Sequence, residues 1–164
     1  MKRAILFCAL LALLMGTNAQ ETTNYKEKHP YKDWVKIAPK LDDAFFTTPE
    51  AIRIADNVLL YQHTTGGWPK NVYMPAELTA DEYKKVLAAK NNVNESTIDN
   101  SATSTEIRYL SRIYLATRIE KYKDAALEGI RYLLKAQYPN GGWPQFWPRP
   151  KVITPTSPTT TMQW

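Results

Sequence analysis

The stretch TTGGWPKN, Thr64 to Asn71, returns as PNGGWPQF, Pro139 to Phe146, at a shift of 75 positions. The same shift sets Leu59 over Leu134, Gln62 over Gln137, Gly66-Gly67 over Gly141-Gly142 and Trp68 over Trp143. Each copy therefore reads as a helix, a glutamine, a short stretch ending in two glycines, and Trp-Pro. The glycines can adopt the left-handed conformation that ends a helix, and the proline forbids its resumption. Two copies that each close a helix and aim an indole at one end of the bundle predict a ring built from helical hairpins.

The segments around the repeat agree with that reading. Thr48-Pro49-Glu50 supplies an N-cap, a proline at the first helical position and an acidic first turn, predicting a helix over 49–63. Thr79 with Glu82 forms a capping box that opens ADEYKKVLAAKNN, and apolar residues recur at helical spacing over 103–118 and 123–137. No long segment alternates with period two. The fold class is all-α, antiparallel helical hairpins joined by short loops. Residues 20–47 are polar with scattered aromatic side chains, among them Trp34, Phe45 and Phe46, and are expected to form a lead-in packed on the surface.

The chain has 164 residues, 44% of them apolar and 12% aromatic, enough for one globular domain with a core. Residues 1–19 carry Lys2 and Arg3, an apolar run from Ala4 to Met15, and small polar residues up to Ala19, the pattern of a secretory signal peptide. A lipid anchor on Cys8 is the rival reading, but Cys8 lies inside the apolar run. The run is too short to span a bilayer. Cleavage removes the one cysteine and leaves 19 basic against 16 acidic residues, a net charge of +3. The product is expected to be secreted or periplasmic, monomeric, free of disulfides and not bound to a membrane. Without clustered Lys and Arg, nucleic acid is not an expected partner.

Between the two copies lies STIDNSATSTEIRYLSRIY, Ser96 to Tyr114. Asp99 and Asn100 offer a carboxylate beside an amide carbonyl, the hard oxygens that calcium takes. On pattern alone, a cap for the helix that begins around Ser101 to Thr105 is the stronger reading. Trp68 and Trp143 likewise have two readings, as indoles packed across a helix end or as flat faces for a sugar ring. His29 and His63 lack partners at metal-ligand spacing and read as surface or helix-end residues, and Asp42-Asp43 reads as a turn cap.

GGWPKN, then STIDNSATSTEIRYLSRIYLAT, then YLLKAQYPNGGWPQFWP resembles, in order and spacing from about Ala51 to Pro148, the pectate lyases of polysaccharide lyase family ten. Ser101 stands where that family's pattern has glycine. The resemblance implies an α/α toroid that cleaves polygalacturonate by calcium-assisted β-elimination, with Asp99 and Asn100 at calcium and Lys70, Trp68 and Trp143 near substrate. It also implies an arginine base, and the arginine credited with that task falls in a later part of the family's pattern, so no catalytic residue is assigned in this chain.

After Trp147-Pro148 the family continues with a segment like GYYTHITYNDDAM, which brings a second acidic calcium ligand. This chain reads VITPTSPTTTMQW from Val152. Placing one base in front of the codons for these thirteen residues and reading the shifted frame permits GYYTHITYNDDAM at every position. Residues 149–164 are therefore expected to be a frameshifted tail after a truncated lyase-like domain at 48–148, the rival being a genuine Thr/Pro linker. The toroid is then incomplete, and the product is expected to be marginally stable, weak for calcium and without turnover.

Two alternatives rest on the same loops. A glutamine followed by Gly-Gly-Trp also resembles the toroids that cyclise terpenes, but their Asp-rich acid motif is missing from the sequence. A non-catalytic pectin- or sugar-binding module, with Trp68 and Trp143 as platforms, is the alternative from another functional class.

Overall fold

The computed structural model describes residues 30–149; the proposed signal peptide, Cys8, His29 and nearly all of the proposed tail lie outside them. Five α-helices follow in order: α1 Pro30–Ile37, α2 Pro49–Tyr61, α3 Ala80–Ala89, α4 Ser104–Thr117 and α5 Glu120–Ala136, with short 3-10 turns between them. Among the described residues there is no strand beyond two isolated bridge pairs. The all-α expectation stands, and the helix-start signals act as read. The Thr48 hydroxyl accepts from the Ala51 amide at 3.2 Å, with Pro49 at the start of α2. Thr79 and Glu82 cap α3 reciprocally. Asp42 accepts from the Phe45 amide at 2.8 Å, the turn cap expected of it, while Asp43 pairs with Arg112 at 2.8 Å.

Helix α5 begins at Glu120, three residues earlier than its apolar period implies. Arg118, in the left-handed region at φ 59°, ends α4 and reverses the chain. Helices α4 and α5 thus form an antiparallel hairpin, closed by buried Tyr122, Ala125, Ala126, Gly129 and Tyr132 on α5. Gly129 permits the close approach: a Cβ there would lie 2.6 Å from Ile107 Cγ1 and 2.8 Å from the Trp68 indole.

The lead-in differs from its expected surface placement. It contains α1, and Trp34, only 2% exposed, enters the core beside Phe46 and Tyr109. The Trp34 and Tyr109 ring centroids lie 5.0 Å apart, and Phe46 sits 5.2 Å from Tyr109. The Trp34 indole N–H donates to Glu106 Oε1 at 2.9 Å, tying α1 to the first turn of α4. Eight residues anchored through Trp34 leave no apolar period to detect, which is why the sequence reads as irregular there.

The repeat is a structural repeat. His63 N donates to Gly67 O at 2.9 Å, as Tyr138 N does to Gly142 O at 2.8 Å. Gly66 N donates to His63 O, and Gly141 N to Tyr138 O, both at 2.9 Å. The amides of Gln62 and Gln137 donate to Gly66 O and Gly141 O at 2.9 and 3.0 Å. The indoles of Trp68 and Trp143 each donate to the carbonyl ten residues earlier, Val58 at 2.7 Å and Leu133 at 2.8 Å. The helices themselves end at Gln62 and Gln137, both extended, so the glycines are corrected as helix terminators: Gly66 and Gly141, at positive φ of 91° and 86°, close the turn that follows.

Candidate functional site

The two loops converge on the segment between them. Thr97 pairs as an isolated bridge with Trp68 on one side and with Phe146 on the other. Its amide donates to Trp68 O at 3.0 Å, and its hydroxyl donates to Gln145 O. Thr97 and Ser96 are fully buried, so this staple is rigid, and the chain emerges from it at Asp99. Thr103 Oγ1 fixes the same turn from beneath, accepting from the Trp68 amide at 3.0 Å and donating to Thr97 O at 2.8 Å.

Asp99 stands at the centre of the exposed rim so formed. Lys70 Nζ donates to its Oδ2 at 2.6 Å, and Gln145 Nε2 donates to the same oxygen at 2.7 Å. Oδ1 accepts from the Asn100 amide at 3.0 Å. The Lys70 ammonium beside it, helped by the Gln145 amide, holds the Asp99 carboxyl below the usual carboxylate range. Lys70 also lies 5.1 Å over the Phe146 ring. Asn100 Nδ2 donates to Asn71 Oδ1 at 2.9 Å, which leaves the Asn100 side-chain carbonyl without a partner in this contact. Asn71, Asn100, Ser101 and Thr103 all take positive φ, between 53° and 65°, so the turn is held in a conformation that only its surroundings can impose.

Among the sequence-derived candidates, the structure brings Lys70, Asp99 and Asn100 together. The capping reading for Asp99 and Asn100 is corrected: α4 starts after Thr103, with no side-chain cap bond, and the Asp99 oxygens are directed to Lys70, Gln145 and Asn100. Trp68 is corrected as a substrate platform, because it is 0% exposed and both its indole N–H and its backbone amide are bonded inside the protein. Trp143 is 43% exposed and keeps an open face. His63 is at a helix end, as expected, but buried: its Nδ1 pairs with Ser96 Oγ at 2.9 Å, and burial holds its imidazole below the ordinary range.

Sequence reading missed Gln145, Phe146 and Asn71. The signal for them was the repeat itself, since the 75-residue shift sets Gln145 over Lys70 and Phe146 over Asn71.

The donor chemistry can be tested against calcium. One carboxylate and one amide carbonyl are oxygen ligands of the right kind. They are only part of a shell of six to eight oxygens, roughly, and among the described residues no group of three His, Cys, Asp or Glu side chains comes together. The residues present fit a share of a calcium site, completed by solvent, substrate or other protein oxygens.

Residues 62–156 match the family of pectic acid lyases. Among solved structures, the family 10 polysaccharide lyase from Cellvibrio cellulosa aligns at 32% identity and TM-score 0.44, covering 73% of this chain and 32% of that one. A point mutant of that lyase, in complex with trigalacturonic acid, aligns at 30% identity and TM-score 0.49, with the same coverage of 73% and 32%. The chain thus spans about a third of the length of those structures. No curated protein matches it.

Proposed function

The chain belongs to the pectic acid lyase family, and from that premise we propose that it is part of an α/α-toroid lyase that cleaves polygalacturonate by calcium-assisted β-elimination, secreted or periplasmic and monomeric. The observation that carries this reading is the convergence of both Gly-Gly-Trp loops on Asp99, with Lys70 and Gln145 on one of its oxygens. Asp99 and Asn100 would hold calcium, whose chemistry is to neutralise the uronate carboxylate and so make the neighbouring C5 hydrogen more acidic.

The chain's own residues do the rest of the binding. The Lys70 ammonium supplies fixed positive charge beside the position of an anionic polymer, and its contact with the Phe146 face limits its motion. Trp143 presents an exposed aromatic face on the second loop, suited to the apolar side of a sugar ring. The staple at Thr97 keeps both loops in register without contribution from substrate. No base is assigned. The segment from Val152 on is read as a shifted frame of the stretch that brings the second acidic ligand.

Trp143 also favours a second reading, a non-catalytic pectin-binding module. Both are tested by following unsaturated uronate in the ultraviolet with polygalacturonate and calcium, comparing the chain as written with the gene restored by one base before Val152. The expected result is pectate retention without product from the first, and chelator-sensitive product from the second that is lost in Asp99→Ala. No product from the restored gene would overturn the lyase reading, and pectate retention alone would leave the binding module.

A further inference from the structure

The 75-residue shift has a chemical outcome at the rim. Lys70 and Gln145 are counterparts in the two copies, each two residues past its tryptophan, and both donate to one oxygen, Asp99 Oδ2, at 2.6 and 2.7 Å. A carboxylate oxygen only accepts, so the amide nitrogen of Gln145 must face it. The backbone of Gln145 is held as well, since its carbonyl accepts from the Thr97 hydroxyl, and Thr97 Oγ1 in turn accepts from the Asp99 amide at 3.0 Å. Gln145 is thus tied to the Asp99 turn by its side chain and its main chain, although the residue itself is exposed.

We propose that Gln145 is a positioning residue of this site: with Lys70 it immobilises Oδ2 of Asp99, leaves Oδ1 as the oxygen for a divalent cation, and by being uncharged keeps only one ammonium against that carboxylate. Two identical copies would have put lysine at both positions. A second ammonium on Oδ2 would leave the group with net positive charge, and a cation would then be repelled from Oδ1. The inference rests on the calcium reading above for its ligand, but not for its contact.

The test uses the full chain, stripped of metal with a chelator. A double-mutant cycle of Gln145→Met with Asp99→Ala, read as thermal unfolding midpoints, is expected to be non-additive by about 2–4 °C, the scale of one charge-assisted contact in a chain of this size. Gln145→Lys, which restores a donor, should restore the coupling. Calorimetric titration with calcium alone should show Gln145→Met weakened by about tenfold or more. Gln145→Lys should be weaker still despite its restored coupling, an outcome that a merely structural role would not produce. Additive midpoints, or calcium affinity unchanged in Gln145→Met, would overturn the assignment. A wild-type chain that takes up no calcium would sink the calcium reading and leave the metal-free coupling to decide this one.

Discussion

The loop after α2 and the loop after α5 share a turn, a glutamine clasp and an indole bond, yet one is interior and the other is surface. The difference lies in what stands against them. Helix α5 covers the first loop: Gln62 Nε2 reaches Ala125 O at 2.9 Å as well as its own loop, and a Cβ on Gly66 would lie 2.5 Å from Glu128 O. Among the described residues nothing lies within 4 Å of the same point on Gly141. The helices differ in the same way, with Ala55 of α2 fully buried and its counterpart Ile130 of α5 40% exposed, beside Leu127 and Leu134. A repeat in sequence specifies a local fold, and neighbours decide whether a given indole becomes a strut or an open face.

Truncating each indole gives the largest effect and the most direct way to break the comparison. Trp68→Ala removes a fully buried side chain and should cost about 3–5 kcal/mol, enough to endanger folding in a small domain. Trp143→Ala should cost about 1 kcal/mol, since much of its ring already meets water. Urea unfolding followed by circular dichroism reads both. Equal losses would mean that the second loop is covered as tightly as the first.

The covered side can be weakened by pH without touching either loop. Glu106 is fully buried, with Oε1 on Trp34 and Oε2 without a hydrogen-bond partner among the described residues, and burial pushes its carboxyl up from 4.5 to about 7 against the pull of the indole N–H. A carboxyl raised in the folded state favours folding below its unfolded value, and that contribution is lost as pH climbs through about 7. The loss is on the order of 3 kcal/mol. His63, lowered by burial from its ordinary 6.5, acts in the opposite sense, stabilising above that value and failing as pH falls. Glu106→Gln should remove the decline between pH 4.5 and 7 and leave a profile that rises with pH, measured as urea midpoints. A decline that persists in the variant would mean that Glu106 is not the group responsible.

Much of the fold was legible because it is local. Thr48-Pro49 and the Thr79–Glu82 box each act over one turn as their chemistry implies, and the glycines at 66 and 141 take the positive φ expected of them, though in the turn after the helix and not at its end. The unseen parts depend on distant partners. Trp34 reads as a stray aromatic until α4 supplies Glu106 for its N–H. Trp68 and Trp143 carry the same neighbours in sequence, and nothing in Gly-Gly-Trp-Pro tells which one α5 will cover. The site was half legible: Lys70, Asp99 and Asn100 were found as residue types suited to an anion and a hard cation. Gln145 was hidden because a glutamine after Trp-Pro has no special chemistry until its counterpart Lys70 shows where it points.

The smallest effect separates the two glycines that close the turns after the helices. Both hold positive φ, so alanine at either position carries the same backbone cost of about 1–2 kcal/mol. At Gly141 that is the whole cost, because the new methyl group meets none of the described residues. At Gly66 the methyl would press on the Glu128 carbonyl, which is main chain inside α5 and cannot rotate away. The loop must then move off α5, stretching the Gln62 bonds to Gly66 O and Ala125 O, for roughly 1–3 kcal/mol beyond the backbone term. Comparing Gly66→Ala with Gly141→Ala in the same urea assay therefore isolates what α5 contributes at the first loop. A difference within error would mean that α5 does not press on that loop, and the contrast between the two copies would rest on their tryptophans alone.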